Sequence, residues 1–163
     1  MTDTELRLRE PANLVSPRAK LYWTVRAFAG WVVVGALETI VCVNSSAVRS
    51  VALVSATIIL ALAHLLVMPR WRYRIHRWEA TDAAVYTQSG WLNQERRIAP
   101  IARIQTVDTQ RGPFEQVFGL TNVTVTTASA AGPLKIRGLD RAMADALVEE
   151  LTVRTQRATG DGT

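Results

Sequence analysis

The chain has 163 residues, with 19 Lys and Arg against 14 Asp and Glu, two His and one Cys. A mean hydropathy of +0.09 averages an apolar half and a charged one, which leaves room for one small folded domain beside the apolar part. Cys42 has no partner in the chain, so an intrachain disulfide is excluded and nothing requires an oxidising compartment.

Residues 1–20 are polar, with Asp3, Glu5, Arg7, Arg9 and Glu10, and lack the apolar core of a secretory signal. They are expected to form a mobile or surface-lying tail without chemistry, broken at Pro11 and Ser16-Pro17. Two apolar runs follow, over about 22–43 and 47–68, and the stretch 51–68 contains no Asp, Glu, Lys or Arg. Roughly 20 apolar residues cross the hydrocarbon of a bilayer. Residues 21–69 therefore predict a transmembrane helical hairpin, its first helix a retained anchor, its turn at Asn44-Ser45-Ser46. Arg18, Lys20 and Arg26 flank the first run and Arg70, Arg72, Arg74 and Arg77 follow the second, against Arg49 alone in the connector. By the positive-inside tendency the domain and both termini lie in the cytoplasm, at the inner or plasma membrane.

Three ionisable residues, Arg26, Glu38 and His64, fall within the runs, where charge is expensive and marks a candidate site. A turn centred near Ser46 puts Glu38 level with Ser55, to which it can bond; a proton or cation ligand is the other reading. Arg26 can snorkel to the inner interface on its long stem. His64 is expected to cap a helix contact rather than bind metal, since no second His or Cys lies at ligand spacing.

Beyond Pro69, Arg70, Arg72 and Arg74 alternate with Trp71, Tyr73 and Ile75, and His76, Arg77 and Trp78 follow. Alternation over 70–78 predicts a strand with one cationic and one apolar face. Arg70, Trp71, Arg72, Arg74 and Arg77 are thus candidate membrane-surface residues: Trp at the interface, Arg on anionic headgroups. A strip reading nucleic acid is the less economical account, and no nucleic-acid partner is expected.

The soluble part, 70–156, reads as a compact sheet. Strands are expected over 83–88 and 91–98 around a turn at Ser89-Gly90, then a less regular stretch with Ile101, Ile104 and Val107. Gly112-Pro113 breaks the chain before one amphipathic turn carrying Phe114 and Phe118 and ending at Gly119. Residues 122–127 are β-branched at most positions; a small-residue loop, 128–133, and a strand over 134–137 follow. Asp140 is a good N-cap for a last helix to about Gln156, with Ala144, Leu147, Val148 and Leu151 on one face. Residues 157–163 are expected to be disordered. The fold class is a membrane α-helical hairpin followed by a small α+β domain.

Residues beyond this outline narrow it. Ile98-Ala99-Pro100-Ile101-Ala102-Arg103-Ile104-Gln105-Thr106-Val107, Gln110-Arg111-Gly112-Pro113-Phe114, Phe118-Gly119-Leu120, Val123-Thr124-Val125-Thr126-Thr127-Ala128 and Ile136-Arg137-Gly138-Leu139 closely resemble the bacterial PH-like membrane proteins, the YdbS-like or DUF304 family. The resemblance implies a PH-like β-barrel or sandwich closed by a C-terminal helix behind two transmembrane helices. It singles out Arg103 and Gln105, which with Phe114 and Phe118 form a candidate interaction surface; alternatively Arg103 pairs with Asp108 or Glu95 and Gln105 bonds a strand edge. The chain departs from the family pattern at Glu115-Gln116, where the resemblance implies a basic residue.

The sequence has no HExxH, CxxC, phosphate-binding G-x-x-x-x-G-K-[ST] or nucleophile-elbow G-x-S-x-G motif. No catalytic residue, metal or cofactor is expected, and an enzyme is not. The leading expectation is a membrane-anchored interaction module that presents its domain to an unidentified protein partner or to another copy of itself. The alternative is an anionic-headgroup sensor, with membrane lipids as the partner; a transport component built on Glu38 would require oligomers.

Overall fold

The computed structural model describes residues 10–43, 46–129 and 132–160. Residues 1–9, Asn44 and Ser45 of the expected turn, Ala130 and Ala131 of the small-residue loop and residues 161–163 of the expected disordered tail lie outside them.

A short strand, β1 (Asn13–Leu14), leads directly into helix α1 (Arg18–Val43). Ser16 starts the helix: its Oγ accepts from the Arg18 N–H (3.2 Å) and its carbonyl from the Ala19 N–H (3.0 Å). Ser followed by Pro suits a helix start, because Pro has no N–H to leave unpaired there. Ser16-Pro17 is thus no part of a mobile tail, and Val15 and Ser16 are buried.

Helix α2 (Ala47–Ile75) has 29 residues. At 1.5 Å per residue it is about 44 Å long, against roughly 30 Å of hydrocarbon. The surplus corrects the expected strand over 70–78: Arg70, Trp71, Arg72 and Arg74 are helical, and extended chain begins only at Arg77. Extending an existing helix adds a hydrogen bond per residue without a new nucleus. Pro69 cannot donate to the carbonyl one turn back, and the Arg70 guanidinium turns onto the neighbouring Leu66 carbonyl (2.7 Å). Only 0% and 6% of the most apolar windows of α1 and α2 are buried, so both helices are apolar and bare on nearly all sides, as lipid-facing helices are.

The domain is a sandwich of two antiparallel sheets. Strands β2 (Arg77–Ala80), β3 (Ala84–Gly90) and β4 (Gln94–Pro100) join β1 in the order β1-β2-β3-β4. After a single 3-10 turn at Ile101–Arg103, β5 (Ile104–Gln110), β6 (Leu120–Thr127) and β7 (Leu134–Asp140) make the second. Among the described residues no strand pairing joins the two, so the barrel is open. The short helix α3 (Pro113–Val117) lies between β5 and β6, and α4 (Arg141–Gly160) closes the second sheet with Ala144, Leu147 and Leu151 buried.

The β3–β4 reversal falls later than Ser89-Gly90 suggests. Pairing continues to Gly90 opposite Gln94, leaving Trp91, Leu92 and Asn93 at the tip. Gly90 is required there: its φ is +127°, and a Cβ would sit 1.8 Å from the Asn93 carbonyl oxygen.

One core runs through both parts. Val15, Ala19 and Trp23, with Met68, belong to the same buried cluster as Val85, Ile101, Leu120, Leu139, Leu147 and Leu151. The helical hairpin thus enters the domain through packed side chains at both connections, without a linker, and fixes its orientation.

Candidate functional site

Where α2 ends, its last turn meets the open corner of the sandwich. The backbone N–H of His76 caps the helix on the Arg72 carbonyl (3.0 Å), and its Nδ1 lies 2.8 Å from the same oxygen. A carbonyl only accepts, so Nδ1 carries the proton. Burial pushes the imidazole down to about 4, against the pull of that hydrogen bond and helped by the charges of Arg72 and Arg137. His76 is therefore neutral near pH 7. Its ring meets that of Trp23 at a tilt (centroids 5.0 Å apart, planes at 56°), and Arg72 lies over the same indole at 4.6 Å, a cation–π contact that holds the guanidinium in place.

A cavity of about 530 Å³ opens beside this joint. Arg72 forms one wall, Ser89 and Trp91 of the β3 end another, and Arg97, Lys135 and Arg137 come from β4 and β7. Strand alternation explains β7: Leu134 and Ile136 face the core, and Lys135 and Arg137 face outward. Glu95 is the one carboxylate in the lining. It pairs with Arg97 (3.3 Å), whose Nη1 also donates to the Pro133 carbonyl across the gap between the sheets (2.6 Å).

Two apolar projections of the domain reach the helices, one of them beside the cavity. At the β3–β4 tip, the Trp91 ring lies 5.6 Å from that of His64, well inside the apolar run of α2, and Leu92 is 84% exposed. On the other side of the hairpin base, α3 holds Phe114 beside Val25 and Ala29 of α1, and Phe114 and Val117 are 69% and 81% exposed. Trp31, which donates its indole N–H to His64 Nδ1 (2.9 Å), lies two residues beyond Ala29. Both projections thus reach nearly the same depth along the helices.

The candidate residues scatter. Of the basic set, Arg72 faces the cavity, Arg70 folds back on α2, Arg77 reaches the Pro11 carbonyl (3.5 Å), and Trp71 and Arg74 are exposed. Helical rotation thus disperses the cationic face that a strand would have shown. Arg26 donates to the Tyr22 hydroxyl (3.2 Å), which donates to Glu115 Oε1 (3.0 Å). Burial pulls the Glu115 carboxyl upward, but hydrogen bonds from its own N–H, Tyr22 and Asn122, with the charge of Arg26, hold it below the usual carboxylate range. Glu115, the first residue of the pair at which the chain departs from the family pattern, thus ties α3 to α1. Glu38 accepts from Thr57 (3.0 Å), not Ser55, and His64 bridges the helices to Trp31.

Phe114 lies in α3 and Phe118 directly follows it, whereas Arg103 ends the 3-10 turn and Gln105 lies at the start of β5, the end remote from α3, both exposed; the four make no common surface. Among the described residues no ion pair joins Arg103 to either expected partner: Asp108 accepts from Thr106 (3.1 Å) and Glu95 pairs with Arg97. Sequence reading missed Arg97, Lys135, Arg137 and Trp91. Two signals pointed to them: cations at alternate positions of a strand, and two bulky apolar residues at a hairpin tip.

A hairpin of membrane-spanning helices that shares its core with a PH-like sandwich defines a two-helix membrane protein with a PH-like domain. This chain belongs to the bacterial PH domain family, whose model matches residues 27–155. It is 30% identical over 101 residues to the UPF0699 transmembrane protein YdbS of Bacillus subtilis (strain 168). That match covers 62% of this chain and 62% of the relative. No solved structure matches.

Proposed function

We propose that this protein is a non-catalytic module that docks its PH-like domain on the cytoplasmic leaflet, both termini on that side, and interacts with anionic lipid there. The contact between Trp91 and His64 carries the reading. A side chain of the domain that touches the apolar run of a spanning helix lies at or below the headgroup layer, and exposed Leu92, Phe114 and Val117 accompany it. Trp at such a depth is favoured, since its ring is apolar and its N–H polar. The excess of Arg and Lys at the domain end of the hairpin supports the cytoplasmic side.

The test places a nitroxide at Leu92→Cys in a Cys42→Ala background, in lipid nanodiscs. Greater collision with oxygen than with a soluble nickel chelate is expected; the reverse would sink the docked pose. A protein partner or second copy has a narrower footing, the exposed Met143 and Val153 of α4. A mild-detergent pull-down of the intact chain, compared with an α4 variant carrying Met143→Lys and Val153→Lys, would support it if one companion were lost.

A further inference from the structure

We propose that the cavity between the end of α2 and the open corner of the sandwich binds a phosphate group, carried by a lipid headgroup or by a free phosphate compound. The four cations of its wall, Arg72, Arg97, Lys135 and Arg137, face one carboxylate. That carboxylate is already taken up by Arg97. Among the described residues neither Lys135 nor Arg137 has a carboxylate within ion-pair reach, and alternate positions on a strand place them about 7 Å apart. Arg72 joins them from the last turn of α2, held by Trp23. Positive charges gathered without a counterion repel one another, and an anion between them reverses the sign of that energy.

The donor set selects the kind of anion. Guanidinium groups present a rigid fork that matches phosphate oxygens, and an ammonium adds a point charge. Thr87 and Ser89, two apart on β3 and so on one of its faces, also line the cavity, and a hydroxyl can donate to a third oxygen. Buried His76 stays neutral, so the cavity's charge is set by groups that remain protonated throughout the physiological range. The volume exceeds that of one phosphate, which leaves space for the rest of a headgroup. Trp91 lines this cavity and reaches His64, so its mouth lies beside the bilayer. Only the lipid source rests on the docked pose; binding of free phosphate does not.

The experiment measures the melting temperature of the intact chain in a neutral maltoside detergent at fixed ionic strength. One arm titrates inorganic phosphate, the other dihexanoyl phosphatidic acid, each against chloride. A saturable rise is expected, because a ligand that binds only the folded state stabilises it. A rise with both probes identifies the phosphate group itself as the ligand; a rise with the lipid alone assigns the headgroup. Lys135→Gln and Arg137→Gln should each weaken the apparent affinity about tenfold, as expected for one lost charge-assisted hydrogen bond. Both side chains are exposed, so folding should survive. Arg157→Gln, on α4, makes the same charge change outside the cavity and should leave the affinity unchanged. No saturable rise with either probe, or equal loss in Arg157→Gln, would overturn the site. The nitroxide at position 92 reads the pose independently, so failure of one proposal is distinguishable from failure of the other.

Discussion

The hydroxyl of Ser16 donates to the carboxylate of Asp140 at 2.9 Å, joining residues 124 positions apart in the chain. One side chain thereby serves two helices. Its oxygen accepts from the first turn of α1, and its proton goes to the residue that immediately precedes α4. The backbone N–H of Ser16 also donates to the Gly138 carbonyl (2.9 Å), so the first spanning helix is anchored to β7 before it leaves the domain.

Replacing Ser16 with Ala should cost about 1 kcal/mol, the usual loss for a capping side chain together with a half-buried hydrogen bond. Ser16→Thr keeps the oxygen and should recover most of it. Denaturant melts of the intact chain in detergent, followed by tryptophan fluorescence because Trp23 lies in the shared core, would show the difference. Equal midpoints for Ala and wild type would mean that water on the Ser16 hydroxyl in the unfolded chain fully offsets the bonds it makes in the folded one.

Gly138 has φ +79°, and a Cβ there would stand 3.2 Å from the Cβ of Ala19. Gly138→Ala therefore combines a left-handed backbone, worth roughly 1–2 kcal/mol, with a collision between β7 and α1. Adding Ala19→Gly should relieve the collision and leave the backbone term. Partial rescue in the double variant, read as the melting temperature, is the expected result. Full rescue would show that the backbone conformation there costs little.

The hairpin, most strands and α4 were legible in the sequence because each presents one unbroken pattern: 51–68 without a charge, β-branched 122–127, and an apolar face from Ala144 to Leu151. The end of α2 was not. Trp71, Tyr73 and Ile75 stand two apart, whereas Trp71, Ile75 and Trp78 stand four and three apart, so the same stretch satisfies a strand over five positions and a helix over eight. The preceding helix settles it, since a helix already formed continues at little cost. Ser16 was misread for a related reason: cap and turn residues are the same types, and what distinguishes them here is a partner at Asp140. The cationic cavity draws on α2, β4 and β7, and no local pattern announces that three distant segments converge.

Tyr22 receives from Arg26 and gives to Glu115, and its ring meets Phe118 edge-on at 5.8 Å. Tyr22→Phe retains the ring contact and removes both hydrogen bonds. Stability should fall by about 1 kcal/mol, and α3 should loosen from α1. Hydrogen exchange of α3 amides would report it: faster exchange over Pro113–Val117, with the amides of β3 unchanged. Uniform acceleration across the domain would show that Tyr22 acts on global stability alone.

His76 makes stability depend on pH with a definite sign. Its folded value is about 4 against 6.5 for a free imidazole, so between those limits the unfolded chain takes up a proton that the folded chain refuses. Stability is complete above about pH 6.5 and falls as the pH drops toward 4, by on the order of 3 kcal/mol. Glu115, also held below its usual range, adds a loss of the same sign at the acid end. His76→Asn offers an amide N–H to the Arg72 carbonyl and does not titrate. It should begin less stable at pH 7, through lost packing on Trp23, and then lose less between pH 6.5 and 4. Melting temperatures of both chains across that interval would show two converging lines. Parallel lines would place the proton uptake on other groups and leave His76 a packing and capping residue only.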